Sequence, residues 1–407
     1  MRKSEILVGL DVGSSRIKVV VADVRERELP EILGVGSADS AGVEAGVIVN
    51  MERAAAAIST AIERAEESAE VDIGRVAATI DGEHVKGIDS RGVIAVSRSG
   101  GEITESEVST VLEAAKTLAL PVGRTILDVL PQEFFVDGQR GIRDPVGMSG
   151  VRLGSKVHIV TASQQAVETV RRAVRKIGIK TSVVSLRAVA AASACLSEDE
   201  RELGVLLVNL GSDTTGLALY HGGAARHTAT VGWGASSITN DIAVGLRVPL
   251  SKAQQLKHDA GCALSSLVDD EEVPIPSVGG HPPRTSSKSL LAAIIEPRAR
   301  EILELVVSEV RNTDYWGRTP SGVVLTGGGA RLLGVTELAE EIFGCPARVG
   351  IPDRVSGRFD AAVDPTYAAA VGVITSQALL PGGAALRREL PLVGTVQRVR
   401  EWVDSLL

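Results

Sequence analysis

The sequence predicts an α/β protein made of two related lobes, with a small α+β unit inserted into the first lobe. A strand–turn–strand pattern with a glycine in its turn spans residues 6–24 and recurs at residues 205–220. Short apolar strands alternate with amphipathic helices along most of the chain. Between about residues 83 and 160, short strand-like runs surround a single helix, and this change of texture predicts the inserted unit.

Composition narrows the class of protein. The 407 residues suffice for at least two domains with their own cores. Hydrophobic residues make up 44% and charged residues 23%, which is typical of a folded globular chain. The net charge of −8 argues against nucleic-acid binding, which needs a basic surface, and any contact with anionic lipid must be local.

Cysteine usage and hydropathy predict a soluble body in the cytoplasm. Cys195, Cys262 and Cys345 lie far apart without a CxxC pair, so we interpret them as reduced core residues. The apolar run before Asp11 is shorter than the core of a signal peptide. The sequence has no apolar stretch long enough to span a bilayer.

Periodicity predicts the elements of both halves. In the first half we expect strands at 6–10, 17–24, 76–80, 93–96, 125–129 and 157–161, and helices at 52–68, 105–119 and up to Gly178. In the second half we expect strands at 205–208, 216–220 and 322–326, helices at 290–310 and 335–343, a loop with short strands at 268–289, a linker at 376–393 and a helical tail at 394–407.

Three glycine turns carry the candidate chemistry. The first holds Gly13, Ser14 and Ser15 with Lys18 beyond it, the second holds Gly211, Ser212, Asp213 and Thr214, and the third is Gly327, Gly328 and Gly329. None is a Walker P-loop or a GxGxxG fingerprint. Taken alone, each is equally well explained as a structural turn. Two hairpin turns and a strand–GGG–helix together predict a nucleotide held between two lobes, because turn amides bind phosphate.

Longer runs resemble a known family. These are TNDIAVGLRVPL at 239–250, PSVGG at 276–280, IIEPR at 294–298, VVLTGGGA at 323–330 and YAAAVG at 367–372. They resemble the actin-fold superfamily and, within it, the FtsA family of bacterial cell-division proteins. The resemblance covers about residues 5–375 and the tail. It implies an actin-like two-lobed ATPase fold with the small subdomain inserted in the first lobe.

The resemblance also implies a domain organisation. The first-lobe core comprises 1–83, 162–197 and 360–380, the inserted subdomain 84–161, and the second-lobe core 198–258 and 302–359. A small subdomain that faces the tubulin-like protein FtsZ spans 259–301, a linker spans 381–393, and an amphipathic membrane-targeting helix spans 394–407.

ATP and Mg²⁺ are the implied cofactors. The two hairpin turns would hold the β- and γ-phosphates and the GGG turn the adenosine. The implied nucleotide-binding residues are Asp11, Gly13, Ser14, Ser15, Lys18, Asn209, Gly211, Ser212, Asp213, Thr214, Gly234, Gln254, Lys257, Gly327, Gly328 and Gly329. Asp11 is the remaining acidic candidate for holding Mg²⁺.

The sequence departs from the family pattern at the reacting end. Asn209 stands where the family usually has Asp, and an amide attracts Mg²⁺ less strongly than a carboxylate does. Arg187 stands where a Glu usually orients the attacking water, and a guanidinium cannot act as a base. Gln254 also replaces a usual Glu. We therefore expect nucleotide binding with slow or absent hydrolysis; the alternative is a drifted site that also binds nucleotide weakly.

The family implies four partners. They are FtsZ, further copies of the chain in a head-to-tail polymer, membrane lipid, and other division proteins. Lys288, Glu296 and Arg298 lie near the implied FtsZ-facing region, where ordinary surface charge explains them equally well. The implied location is the cytoplasmic side of the cell membrane at the division septum.

The tail predicts an amphipathic helix. Its apolar residues at helical spacing are Val396, Val399, Trp402, Val403 and Leu406. A few kcal/mol of insertion energy, at about 0.8 kcal/mol per buried CH₂, would bind one molecule weakly and a polymer tightly. The alternative is a helix packed on its own domain.

Two other functions remain open from the sequence. One is an active actin-fold ATPase or kinase, which would need the hydrolytic carboxylates that are replaced here. The other is a pilus-assembly relative of FtsA, against which the 239–250 run and the amphipathic tail argue.

Overall fold

The computed structural model describes residues 4–25, 28–96, 101–117, 120–275, 284–357 and 364–378. The strands are β1 (Ser4–Val12), β2 (Arg16–Arg25), β3 (Glu31–Asp39), β4 (Val43–Glu44), β5 (Val47–Ile48), β6 (Arg75–Ile80), β7 (Lys86–Ala95), β8 (Arg124–Val136), β9 (Gln139–Ile142), β10 (Arg152–Ser163), β11 (Lys180–Leu186), β12 (Val205–Leu210), β13 (Thr215–His221), β14 (Ala224–Val231), β15 (Glu272–Ile275), β16 (Arg284–Ser287), β17 (Val323–Thr326), β18 (Ala347–Val349) and β19 (Ser356–Gly357). The helices are α1 (Met51–Ala69), α2 (Glu105–Ala115), α3 (Gln164–Lys176), α4 (Arg187–Cys195), α5 (Glu198–Leu203), α6 (Ala235–Leu246), α7 (Leu250–Ala260), α8 (Lys288–Arg311), α9 (Val335–Phe343) and α10 (Ala368–Ala378).

Two large sheets repeat one topology. The first has the order β11-β6-β1-β2-β3-β19 and the second β14-β13-β12-β17-β18. In each sheet, two antiparallel strands joined by a glycine turn form a hairpin, and the second of them pairs antiparallel with the next strand of the chain. The first strand of the hairpin pairs parallel with a later strand, and that strand pairs parallel with another. We call each sheet, with the helices packed on it, the first and the second lobe. The shared order confirms the prediction of two related halves.

Each lobe has its own apolar core. The first is built on β1, β2 and the alanine-rich face of α1, which begins at an Asn50 cap that accepts a hydrogen bond from the backbone N–H of Arg53 at 3.1 Å. The second is built on β12, β13 and the buried face of α8. The first core also continues onto Val205, Leu207 and Ala218 of the second sheet, so an apolar contact joins the two lobes.

A pair of helices lies between the sheets. α10 packs along α4, with α10 also against β1 and β6 and α4 against β12 and β13. A Cβ atom at Gly372 of α10 would lie only 1.8 Å from the carbonyl oxygen of Ala190 in α4. Glycine is therefore required for the two helix backbones to approach this closely.

The inserted unit consists of the sheet β7-β10-β8-β9 and α2, and it has a small core of its own. His158 Nε2 lies 2.9 Å from Thr228 Oγ1, and Gln132 Nε2 donates to the carbonyl oxygen of Ala225 at 3.0 Å. The unit is inserted in the chain of the first lobe, and it also contacts β14 of the second lobe.

Most predicted elements are confirmed, and the differences lie at their ends. β7, β8 and β10 extend well beyond the predicted 93–96, 125–129 and 157–161, because long antiparallel pairing continues through polar positions. The helix predicted at 105–119 ends at Ala115, and residues 118 and 119 lie outside the described part of the chain. The predicted linker from residue 376 begins too early, since α10 continues to Ala378.

Several predictions fall where structure is only partly described. The linker at 381–393, the tail at 394–407 and the PSVGG run at 276–280 lie outside the described residues. Cys195 and Cys262 are buried, as predicted, whereas Cys345 is half-buried. Among the described helices, none is both long and apolar enough to cross a membrane. The proposed domain boundaries stay predictions.

Candidate functional site

A cleft of about 1450 Å³ separates the lobes and gathers the three glycine turns. Every predicted nucleotide-binding residue lines it except Gly234, which caps α6 directly behind the second turn. A Cβ atom at Gly234 would lie 2.4 Å from the carbonyl oxygen of Ser212, so the glycine allows α6 to support that turn from below. The structure thus brings together residues that lie more than 300 positions apart in the sequence.

The two hairpin turns have equivalent geometry. A Cβ atom at Gly13 would lie 2.6 Å from the carbonyl oxygen of Arg16, and one at Gly211 would lie 2.6 Å from that of Thr214. Each turn is therefore closed by a backbone that only glycine permits. Two such turns face one cleft from opposite lobes, which suits the two ends of a polyphosphate chain.

The third turn packs on the second. Gly327 has a φ of +83°, and a Cβ atom there would lie 2.7 Å from Oδ1 of Asn209. Asn209 is buried at the end of β12, so its amide supports the glycine turn from beneath. A short 3-10 helix, Gly328–Arg331, includes two glycines of the turn, and α9 then spans Val335–Phe343, which confirms the helix predicted at 335–343.

Two lysines face the cleft. Lys18 Nζ donates to the carbonyl oxygen of Thr366 at 2.6 Å and lies 5.2 Å from the ring centre of Tyr367. Lys257 Nζ donates to the carbonyl oxygen of Ala235 at 2.8 Å and to Thr239 Oγ1 at 2.7 Å. Burial lowers the pKa of each to about 8. Both remain largely cationic near pH 7 and can attract an anion.

Both carboxylate oxygens of Asp213 accept hydrogen bonds within the protein. Its Oδ2 accepts a 3.0 Å hydrogen bond from the backbone N–H of Ala45, in the turn between β4 and β5 of the first lobe. Its Oδ1 accepts one from Ser212 at 3.1 Å. Asp213, one of the implied nucleotide-binding residues, thus joins the second turn to the opposite lobe.

Arg187 and Asp81 form a charged cluster on the cleft floor that sequence reasoning missed. Arg187 Nε donates to Asp11 Oδ1 at 2.8 Å, and Arg187 Nη1 lies 3.6 Å from Asp81 Oδ2. Thr79 Oγ1 also donates to Asp11 Oδ1 at 2.7 Å. The sequence did mark Arg187 as a departure, and an acid ending the apolar strand at 76–80 was the available signal for Asp81.

The hydrogen bonds and charges of this cluster bear on whether Asp11 can hold Mg²⁺. Oδ1 of Asp11 already accepts hydrogen bonds from Thr79 Oγ1 at 2.7 Å and from Arg187 Nε at 2.8 Å. A positive side chain at this distance repels a divalent cation. The donor set therefore does not fit a magnesium ion held by Asp11.

The predicted FtsZ-facing residues lie in the first half of α8, with Lys288 as its first residue. Lys288 forms an ion pair with Glu271 at the rim of the cleft. Glu296 accepts hydrogen bonds from the backbone N–H of Ser265 at 2.8 Å and from its hydroxyl at 2.6 Å. Arg298 Nε donates to Asp241 Oδ2 at 2.6 Å, and its guanidinium lies 5.0 Å from the ring centre of Trp233. Glu296 and Arg298 thus have structural contacts within the second lobe, and partner binding by all three stays a prediction.

Comparison with known proteins identifies the family. A model of the cell-division protein FtsA matches residues 206–372, and a model of the SHS2 domain inserted in FtsA matches residues 82–161. FtsA of Pseudomonas aeruginosa is 36% identical over 414 residues, covering all of this chain and 99% of the relative. The chain belongs to the FtsA family.

The FtsA-family assignment agrees with the architecture. The chain shares its fold with the PilM–PilN type IV pilus biogenesis complex, with a TM-score of 0.62 and 17% identity over 92% of this chain and 99% of that one. It also matches MreB5 of Spiroplasma citri bound to ADP, with a TM-score of 0.55 and 13% identity over 91% and 95%. At these identities the likeness shows the fold alone, which is actin-like, with the SHS2 domain as its inserted unit.

Proposed function

We propose that this chain is a nucleotide-binding adaptor of cell division that assembles into polymers and tethers FtsZ filaments to the inner face of the cytoplasmic membrane. The observation that supports it best is the cleft, in which three glycine turns from two lobes converge in a chain of the FtsA family. ATP is the proposed ligand. The MreB5 structure with the same fold holds ADP, which supports a nucleotide in this cleft.

Hydrolysis is proposed to be slow or absent. Arg187 occupies the floor of the cleft close to the first turn, and a guanidinium cannot accept a proton from water. An active ATPase is the competing function. Phosphate release by the purified chain at about 1 s⁻¹ or faster, a low rate for an enzyme, would favour it over the adaptor.

The membrane tether is proposed for the tail at 394–407, on the basis of its sequence. A single amphipathic helix binds weakly, and a polymer displays many helices at high effective concentration. FtsZ binding is proposed for the small subdomain at 259–301. Of the three predicted contacts there, Lys288 is the best to substitute first, because Glu296 and Arg298 also hold the second lobe together.

Vesicle flotation tests the adaptor directly. FtsZ filaments are mixed with ATP, lipid vesicles and either the full chain or a version that ends at Val393. We expect the full chain to lift FtsZ with the vesicles and the truncated version to leave it below. If the full chain folds and binds nucleotide but lifts no FtsZ, the adaptor function is wrong, and a pilus-type partner or an ATPase comes forward.

Matched substitutions separate the apolar face of the tail from its charge. Trp402→Glu places a negative charge on the apolar face, and Gln397→Glu places the same charge elsewhere on the predicted helix. We expect Trp402→Glu to abolish flotation and Gln397→Glu to retain most of it. Equal loss in both would indicate that net charge, and not an inserted apolar face, controls lipid binding.

A further inference from the structure

The guanidinium of Arg187 lies between the two hairpin turns. Its Nη2 donates to the carbonyl oxygen of Val12, which precedes Gly13 of the first turn, at 2.8 Å. Its Nη1 faces Asp81, whose Oδ2 accepts a 3.1 Å hydrogen bond from Thr214 Oγ1 of the second turn. One side chain is thus connected to both of the turns that would hold a polyphosphate.

Arg187 is a permanently charged side chain that is almost fully buried. Its side chain is 6% exposed, and those of Asp11 and Asp81 are 10% and 0% exposed. Burial by itself would lower the pKa of Arg187, but Asp11 and Asp81 outweigh it and raise the pKa above the usual value. The cation is therefore fixed both in charge and in position.

The guanidinium retains donors for another acceptor. Of its five N–H groups, one donates to Asp11 and one to Val12, and Nη1 is held near Asp81 at the distance of an ion pair. Arg187 lines the cleft, so a phosphate oxygen that enters between the turns can reach this charge. Planar guanidinium groups match phosphate oxygens well in both charge and geometry.

The same site is poorly suited to a divalent cation. Asp11 is already paired with Arg187, and Asn209 contributes an amide and not a carboxylate. Lys18 adds a second positive charge along the same wall of the cleft. Arg187 and Lys18 therefore offer positive charge to a polyphosphate at this end of the cleft, while Asp11 and Asp81 offset part of the charge of Arg187.

We propose that Arg187 replaces the divalent cation at the polyphosphate end of the cleft, so that the chain binds a nucleoside triphosphate without a metal ion. This inference rests on the proposed nucleotide site and deepens it. Arg187 and Lys18 neutralise the phosphates, and Asp81 holds Arg187 in register with the second turn. Nucleotide affinity is then independent of magnesium.

The test is titration calorimetry of the full chain with ATP, once in excess Mg²⁺ and once in EDTA. We expect the two dissociation constants to agree within about threefold. Loss of more than about tenfold in affinity on adding EDTA would overturn the metal replacement, and the nucleotide site itself would stand. Absence of binding in both conditions would overturn the nucleotide site and this inference together.

Variants of Arg187 locate the effect. Arg187→Gln should weaken ATP binding in EDTA about 10- to 100-fold, the loss expected for a hydrogen-bonded charge. Arg187→Lys keeps the charge but loses the planar fork, so an intermediate loss is expected. The exposed Arg175→Gln removes the same charge from α3, outside the cleft, and should bind as the parent chain does.

Thermal melting without nucleotide shows whether each variant folds. If Arg187→Gln does not fold, the comparison of Mg²⁺ with EDTA in the parent chain and in Arg187→Lys decides the matter. Arg187→Gln that folds and binds ATP in EDTA as tightly as the parent chain would overturn the proposal.

Discussion

The carboxylate of Asp81 accepts a 2.6 Å hydrogen bond from Thr230 Oγ1. Asp81 follows β6 in the first lobe, and Thr230 lies in β14 of the second. The other carboxylate oxygen accepts a hydrogen bond from Thr214 Oγ1 at 3.1 Å. A fully buried acid therefore links the two lobes across the floor of the cleft and also faces Arg187.

Removal of this acid should destabilise the fold strongly. Asp81→Ala removes one of the carboxylates that face Arg187. It also leaves the buried hydroxyl groups of Thr214 and Thr230 without their hydrogen-bond acceptor. We expect the free energy of unfolding to fall by about 3–5 kcal/mol, as when one partner of a buried ion pair is removed. Urea denaturation measures it.

An exposed ion pair provides the control for Asp81. Glu202 pairs with Arg143, and their side chains are 45% and 70% exposed. Glu202→Ala should change the free energy of unfolding by less than about 1 kcal/mol. Equal denaturation midpoints for Asp81→Ala and the parent chain would show that the interlobe contact contributes no stability.

The contact between α4 and α10 should not tolerate a methyl group. Gly372→Ala places a Cβ atom 1.8 Å from the carbonyl oxygen of Ala190, so one helix must move. We expect a loss of about 1–3 kcal/mol of stability, the usual cost of overpacking, and a lower melting temperature.

Gly74→Ala is the matched control, because no heavy atom lies within 4 Å of the added Cβ atom. It should melt at or slightly above the temperature of the parent chain, since alanine restricts the unfolded chain more than glycine does. A normal melting temperature for Gly372→Ala would contradict the close packing of these helices.

Nucleotide affinity should decrease as the pH rises through about 8. Burial lowers the pKa of Lys18 to about 8, while Asp11 and Asp364 act in the opposite direction. Below that pH the lysine is charged and attracts phosphate; above it the free protein must take up a proton to bind. Fluorescent ATP titrations from pH 7 to 9.5 measure the decrease.

Lys18→Arg should flatten this profile, because a guanidinium stays charged throughout the range. Lys257 also has its pKa lowered to about 8 by burial, so Lys18→Arg with Lys257→Arg should be flatter still. An unchanged profile in the double variant would show that neither lysine contacts the phosphates.

The inserted unit should loosen in acid through Asp89. Burial alone would raise the pKa of this carboxyl, but hydrogen bonds from His158 and Lys156 lower it to about 2. Because the folded pKa lies below the unfolded value of 3.8, the stabilisation is present above 3.8 and is lost as the pH falls towards 2. The side chain is 41% exposed, so solvent screening limits the contribution to about 1 kcal/mol.

Acid denaturation of the parent chain and of Asp89→Asn measures this contribution. The variant should lack the part of the stability loss that falls between pH 3.8 and 2. Lys156→Met removes one of the two hydrogen bonds that lower the pKa of Asp89 and should retain a reduced loss. Identical acid profiles for the parent chain and Asp89→Asn would contradict the pairing.

Local signals in the sequence predicted much of the site. Gly13 and Gly211 stand in turns that leave no room for a Cβ atom. A glycine that follows an apolar strand can be recognised from the sequence alone. Thr104 and Glu107 likewise have the sequence spacing of a capping box, and they form one at the start of α2. Strand lengths in the inserted unit were underestimated, because antiparallel pairing and not hydrophobicity extends β8 and β10.

The role of Arg187 shows where sequence reasoning stops. Its replacement of a usual Glu was visible, and the loss of a base followed from it. Its partners were not, since Asp11 lies 176 positions away along the chain, and the side chains meet only after β1, β6 and β11 align in one sheet.

The sequence by itself determined the two-lobed α/β class, the repeated hairpin and the three glycine turns, because these depend on backbone conformation and on periodicities within single elements. Only the tertiary structure decided that Arg187 lies between Asp11 and Asp81, that Asp213 reaches Ala45, and that Asp81 links the lobes. Such contacts depend on strand order and on the approach of the lobes. The charged groups that pair there lie far apart in the sequence, and their attraction becomes strong only when folding brings them together in a buried site.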